Sequence, residues 1–239
     1  MARGSARALL DGATIMGKRV KRPGVRNGYD LWAETYDRTP NPLVALDRRV
    51  TLRTLNPRIG EWVLDAGCGT GAHLAAIDRA RSRPVGLDFS RGMLRVARQN
   101  APRAALVQAD LNRHFPVRGR AFDAVLSALV SEHLADLRRF FTEAFSALRV
   151  GGRLVFSAFH PELAHAGIEA NFEQNGTEYR LGAEPYTVSD YLNHISEAGF
   201  RNLEWRDYHV DDRLVQEVPR ASKYLHRPLL LLVRAERSA

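Results

Sequence analysis

At 239 residues, 45% hydrophobic and 26% charged, the chain can bury one full α/β core and needs no second domain of ordinary size. Its longest apolar runs, such as LLLLV at 229–233, fall far short of the ~20 residues of a membrane-crossing helix, and its single cysteine excludes an internal disulfide framework and fits a reducing, cytoplasmic setting. The net charge of +8 is concentrated before residue 29, where seven basic residues accompany one acid; the rest carries only +2, no basis for a surface that tracks nucleic acid.

Residues 1–28 have few bulky apolar side chains and contain Gly, Pro and Asn, so they are expected to form a basic, flexible, solvated extension. A targeting segment or a polyanion-binding arm is the other interpretation, and Met16 offers an alternative start. The domain proper is expected over 29–239. N-terminal helices carrying Tyr29, Trp32 and Tyr36 lead into a regular alternation from residue 61 onward. Strands are predicted at WVLDA (62–66), PVGLDF (84–89), AALVQAD (104–110), FDAVLSA (122–128) and RLVFSAF (153–159). Helices are predicted over 71–80, from the Ser90 cap to about 98, and along the stripe Leu134, Leu137, Phe141, Ala144 and Leu148. Residues 160–186 read as a lid insertion. A capped helix opening at Thr187 and Asp190 follows, then strands near 202–210 and 228–234. The fold class is therefore α/β: a doubly wound, Rossmann-like, seven-stranded sheet, mostly parallel, with an antiparallel C-terminal hairpin strand.

In such sheets ligands bind beyond the carboxyl ends of the strands, and chemistry-bearing residues stand there in series. Gly67, Cys68, Gly69 and Gly71 follow the first strand, Asp88 ends the second, Asp110 ends the third, Ser127 lies at the end of the fourth, and His160 follows the fifth. The glycines permit a tight turn and close ligand approach, and the helix beginning near Gly71 offers free N–H groups to an anion. Asp88 suits the two hydroxyls of a ribose, and Asp110 suits an exocyclic amine such as that of adenine. Gly67, Gly69 and Ala72 also satisfy the dinucleotide fingerprint, but Asp65 would set a carboxylate against a pyrophosphate. Opposite an ammonium the same carboxylate is favourable, so an adenosine joined to a zwitterionic amino acid, S-adenosylmethionine, is the expected cofactor.

VLDAGCGTG resembles motif I of the class I S-adenosylmethionine-dependent methyltransferases, and VGLDFSRGML, VQADLNRHFP, FDAVLSALVSEHLADL and ALRVGGRLVFSAFHPE resemble their later motifs in order. YDLWAETYD at 29–37 resembles the leading helix of the small-molecule branch, similar to quinone-biosynthesis enzymes. The resemblance implies that Asp65, Gly67, Gly69 and Gly71 line the methionine part of the cofactor and Asp88 its ribose. Phe89 and Met93 would pack beside the adenine, or equally serve as core; Asp110 and the Leu111 N–H would read its edge. Ser127 and Tyr36 would lie near the sulfonium or the amino-acid tail, and Cys68 would be a small loop residue.

Methyl transfer from that cofactor to an O, N or C nucleophile of a small molecule then mainly requires placement, and a base only where the acceptor carries a proton. His133 and His160, both at strand exits, are the candidate bases, with capping or packing roles as the bland alternative. Phe172, Tyr179, Tyr186 and Tyr191 could line a lid over a flat, apolar or cationic acceptor, or simply seal the core. No metal-ligand spacing is visible. An RNA or protein methyltransferase and a non-catalytic S-adenosylmethionine-binding protein are the competing interpretations. Against the former, the fourth strand lacks the Asn/Asp-Pro-Pro-aromatic turn of base-amine methyltransferases.

Overall fold

The computed structural model describes residues 14–15 and 18–238. Two short strands, β1 (Thr14–Ile15) and β2 (Lys18–Lys21), precede helices α1 (Val25–Trp32) and α2 (Pro42–Leu55). The alternating part follows: β3 (Trp62–Ala66), α3 (Ala72–Arg79), β4 (Arg83–Asp88), α4 (Arg91–Asn100), β5 (Ala105–Gln108), β6 (Phe122–Ala128), α5 (Leu137–Ala147) and β7 (Leu148–Phe159). A short helix α6 (Pro161–His165) and a hairpin, β8 (Asn171–Gln174) and β9 (Thr177–Arg180), make up the insertion. The chain ends with α7 (Val188–Glu197), β10 (Arg201–His209), α8 (Asp212–Glu217) and β11 (Pro228–Glu236).

The seven-stranded sheet has the order β10-β11-β7-β6-β3-β4-β5. The strands from β3 to β7 pair in parallel, and β11 runs antiparallel to both β7 and β10. Strand order reverses between β3 and β6, so the crevice of the fold opens beyond Ala66 and Ala128. Both faces are covered, and the strict period of two explains why the strands read as near-continuous apolar runs. Leu64, Val125, Leu231 and Val233 point toward Phe140 and Phe141 of α5 and Ile195 of α7. Their neighbours Val63, Ala124, Leu126, Leu230 and Leu232 point to the opposite core, with Leu46 and Val50 of α2, Ile77 of α3 and Leu214 of α8.

Local signals act as read. Ser90 caps α4 by accepting from the Met93 N–H at 3.0 Å, and Thr187 and Asp190 form a reciprocal capping box on α7. Several boundaries differ. The helix stripe ends at Ala147, because Leu148 already pairs with Phe122 at the start of β7. β5 is only four residues long, at the sheet edge.

The basic segment departs from expectation where it is described. Lys18–Lys21 is not a loose extension: β2 pairs in parallel with β9, completing a second sheet of order β1-β2-β9-β8. Val20 is buried there, and Arg22 grips Glu169 through two hydrogen bonds of 3.0 and 2.8 Å. Residues isolated in sequence thus find apolar and ionic partners about 150 positions away, which composition alone does not reveal. Met16 and residues 1–13 lie outside the described residues.

α1 is held over the sheet by Asp30, whose carboxylate accepts from the Ser90 hydroxyl at 2.6 Å and the Gly92 N–H at 2.8 Å. Glycine is needed at position 92, since a Cβ there would stand 2.9 Å from the Asp30 carbonyl oxygen. A run of stacked rings then ties α1 to the insertion: Trp32 lies 4.9 Å from Phe172, and Phe172 4.8 Å from Tyr179, both pairs nearly parallel.

Candidate active site

The turn after β3 is built around Asp88. Its carboxylate accepts from the Gly69 N–H at 2.8 Å and the Ser90 N–H at 2.9 Å, bridging the glycine turn to the start of α4. Burial raises its pKa, and those two N–H donors counter the rise. Gly69 has φ +50°, and a Cβ there would meet nothing within 4 Å, so its outer face is open to a ligand. Gly67 and Gly71 also have positive φ, and the first turn of α3 has no side-chain cap.

Asp65 is 1% exposed, yet both its carboxylate oxygens lack any hydrogen-bond partner among the described residues. Burial pushes its pKa up to about 7; the nearby His73 charge works downward, while Asp88 and Asp47 add to the rise. His73, at the start of α3, forms a 3.3 Å ion pair with buried Asp47 of α2. Asp47 also accepts from the hydroxyls of Thr51 and Ser157, each at 2.6 Å. The motif reading missed this buried pair, because its members are 26 residues apart and neither belongs to a strand exit.

The other expected residues divide. Ser127 is fully buried beside the turn, with an unpartnered hydroxyl. Phe89 is half-buried, with Arg26 over its ring at 5.6 Å, while Met93 and Leu111 are buried side chains. Asp110 accepts from the Asn112 N–H at 3.0 Å and stays partly open. Cys68 does not face the open side of the turn. Its sulfur packs inward with Leu74, Ala101 and Ala104, and burial raises its thiol pKa well above the usual value. Among the described residues there is no group of three or more His, Cys, Asp or Glu side chains placed to hold a metal ion.

The two histidines have different surroundings. His133, in a helical turn after β6, has Nε2 2.9 Å from the Tyr29 hydroxyl and its Nδ1 buried without a partner. Burial lowers its pKa, with Glu132 acting in the opposite sense, and burial raises that of Tyr29. His160 departs from the role of a free base. Its Nδ1 accepts from the Glu162 N–H at 3.3 Å as the cap of α6, and its Nε2 lies 3.2 Å from an Asp207 carboxylate oxygen on β10. Both ring nitrogens are engaged by the scaffold.

A cleft of about 950 Å³ lies between the N-terminal segment and the insertion, lined by Tyr29, Trp32, Tyr36, Glu132, Phe159 and Phe172 among others. Of the expected lid aromatics, Phe172 lines it and Tyr179 stacks behind. Tyr186 and Tyr191 instead join the main core, Tyr186 donating to the Leu134 carbonyl at 2.6 Å. Glu132 and Asp30 escaped sequence reading; only their adjacency to His133 and Tyr29 hinted at them.

Residues 64–156 match the family described as Methyltransferase domain. Over 204 residues the chain is 34% identical to the demethylmenaquinone methyltransferase of Tropheryma whipplei (strain Twist), an alignment covering 76% of this chain and 85% of that protein. It is 31% identical over 218 residues to the malonyl-[acyl-carrier protein] O-methyltransferase of Geobacter sulfurreducens, covering 80% and 77%. The crystal structure of an S-adenosylmethionine-dependent methyltransferase from Mesorhizobium loti superposes with a TM-score of 0.67 at 26% identity, covering 82% of this chain and all of that one. Motif order, sheet topology and these relatives agree that the chain belongs to the class I S-adenosylmethionine-dependent methyltransferases, in the small-molecule branch that includes quinone-biosynthesis enzymes.

Proposed function

We propose that the methyl acceptor is a flat, largely apolar or cationic small molecule held in the aromatic cleft, and that a proton on its nucleophile leaves through Tyr29 to His133. The observation that carries this is the 2.9 Å contact between the hydroxyl of Tyr29, a residue of the cleft wall, and His133 Nε2. The acceptor's O–H or N–H donates to the Tyr29 oxygen while the Tyr29 O–H donates to Nε2. His133 gains the proton and Tyr29 stays neutral, in keeping with the raised pKa of its phenol. A tertiary amine or a carboxylate would need no such relay. A fused ring bearing a hydroxyl, such as the reduced quinol form of the demethylmenaquinone named in the Tropheryma relative, suits walls made of Tyr29, Trp32, Tyr36 and Phe172.

S-adenosylmethionine, when bound, supplies a methyl group already made electrophilic by its sulfonium. The residues present fit it. Asp65, buried with two unpartnered acceptor oxygens, would take the ammonium, and the uncapped start of α3 the carboxylate. Asp88 would hold the ribose with its remaining lone pairs. Asp110, the Leu111 N–H, Phe89 and the buried Met93 would form the adenine side, and Ser127 and Tyr36 would stand near the sulfonium or the amino-acid tail. Residues 18–238 act as one unit in this scheme, and a cytoplasmic location accords with the single buried thiol.

Incubating the protein with methyl-labelled S-adenosylmethionine and a cell extract, then separating small molecules from polymers, tests the proposal. Label should enter an apolar small molecule and vanish with Asp88→Ala. Label in a nuclease- or protease-sensitive fraction would overturn it.

A further inference from the structure

We propose that Glu132 anchors the methyl acceptor by accepting a hydrogen bond from an O–H or N–H donor on that molecule, and so makes the cleft selective for acceptors bearing one. This rests on the cleft being the acceptor site, as proposed above. Glu132 follows β6 in the turn Ser131–His133, which the insertion fixes from outside: the Glu132 carbonyl accepts from the Glu184 N–H at 2.8 Å. Glu132 lines the cleft, and its Oε2 is shielded from solvent without a donor among the described residues. Two other acids of the cleft are held by cations. Asp37 pairs with Arg48, and Glu169 with Arg22.

The groups that sense the Glu132 charge are Tyr29, Tyr36, Tyr191 and His133, and none of them donates to it. A carboxylate can only accept, and a buried acceptor left unpaired is unfavourable until a ligand supplies the donor. Tyr29, Trp32, Tyr36 and Phe172 around it would hold a flat ring, and their faces also favour a cation. Hydroxyl and ammonium donors share the required chemistry. An ether or a ring without a donor would leave Glu132 unpaired, and the site would reject it.

Three matched probes separate these cases: 2-naphthol, 2-naphthylmethylammonium and 2-methoxynaphthalene. Each is titrated into the protein saturated with S-adenosylhomocysteine, following tryptophan fluorescence, because Trp32 lies in the cleft wall. At least one donor probe should bind about tenfold or more tighter than the ether, and which one shows whether hydroxyl or ammonium is preferred. Glu132→Gln should close that gap to within about threefold. Glu132→Met gives the same readout should the glutamine variant fail to fold, as judged by circular dichroism and retained S-adenosylhomocysteine binding. Equal affinities, no binding by any probe, or a gap that survives Glu132→Gln would overturn the assignment. An intact gap with label found only in polymers would sink the acceptor proposal and leave Glu132 as a donor-selective binding residue.

Discussion

The Tyr29 hydroxyl and His133 Nε2 meet at 2.9 Å across 104 residues of chain, one on the helix before the main sheet and the other in the turn after β6. Removing either partner should therefore affect the same step. Tyr29→Phe and His133→Asn are each expected to lower kcat by about 10²-fold or more on a proton-bearing acceptor, with a small change in KM. The double variant should be little worse than either alone. Because burial lowers the His133 pKa, the imidazole stays neutral down to a lower pH than an ordinary histidine. The rate should accordingly be flat across neutral pH and fall only on the acid side of the usual histidine range. A pH–rate profile of the three proteins decides the matter; additive losses would separate the two residues.

In its proposed role as acceptor for the ligand's ammonium, Asp65 should make cofactor affinity pH-dependent. Its pKa of about 7 leaves it half neutral at neutral pH, and an ammonium needs the ionised form. Affinity for S-adenosylhomocysteine should fall about tenfold for each pH unit below 7, as the carboxylate takes up its proton. Asp65→Asn should flatten this acid limb and weaken binding at pH 7.5. Calorimetric titration from pH 5.5 to 8 measures it.

The same carboxylate should cost stability in the ligand-free protein. A carboxyl whose folded pKa is raised favours the folded state below its unfolded value, near pH 4. It disfavours folding increasingly up to about pH 7, and by a constant amount above. Asp65→Asn should thus raise the melting temperature at pH 8 and change it little at pH 4. The difference is on the order of 2–4 kcal/mol. A melting temperature that shifts equally at both pH values would show that charge is not the cause.

Much of this architecture was legible in the chain because it depends on local pattern. Period-two apolar strands, the Ser90 and Thr187 caps and the glycine turn all act within a few residues, and they place Asp65 and Asp88 with no tertiary knowledge. What was not legible depends on pairings between distant segments. Lys18–Lys21 reads as solvated until β9 arrives beside it. His160 reads as a base at a strand exit until Asp207 is seen against its ring. Cys68, in the middle of the ligand turn, points into a small core because its neighbours Leu74, Ala101 and Ala104 leave room there. Sequence position names the loop, and packing decides which side chains of the loop meet the ligand.

Replacing Asp30 should separate cofactor binding from acceptor binding. It joins α1 to Ser90 and Gly92 through a single carboxylate oxygen, and α1 carries Tyr29 and Trp32. Asp30→Ala should cost about 1–3 kcal/mol of stability and raise the acceptor KM at least tenfold. S-adenosylhomocysteine affinity should stay within a few-fold, since Asp88 still holds Gly69 and Ser90. Gly92→Ala should behave alike, because its Cβ would press on the Asp30 backbone. Paired measurement of cofactor Kd and acceptor KM on both variants tests whether α1 belongs to the acceptor side.

His160 distinguishes a scaffold histidine from a catalytic one. Its ring caps α6 and touches Asp207, so His160→Gln and Asp207→Ala each remove the link between α6 and β10. Each should lower stability by about 0.5–2 kcal/mol, the range of a lost cap or hydrogen bond. Neither should change kcat by more than about threefold at a temperature where the variant is folded. A hundredfold loss of kcat in His160→Gln, with melting unchanged, would return His160 to the reaction and require Asp207 to orient it. Loss of stability with kcat intact would leave the proton path to Tyr29 and His133, because the scaffold would then hold both nitrogens of the second strand-exit histidine.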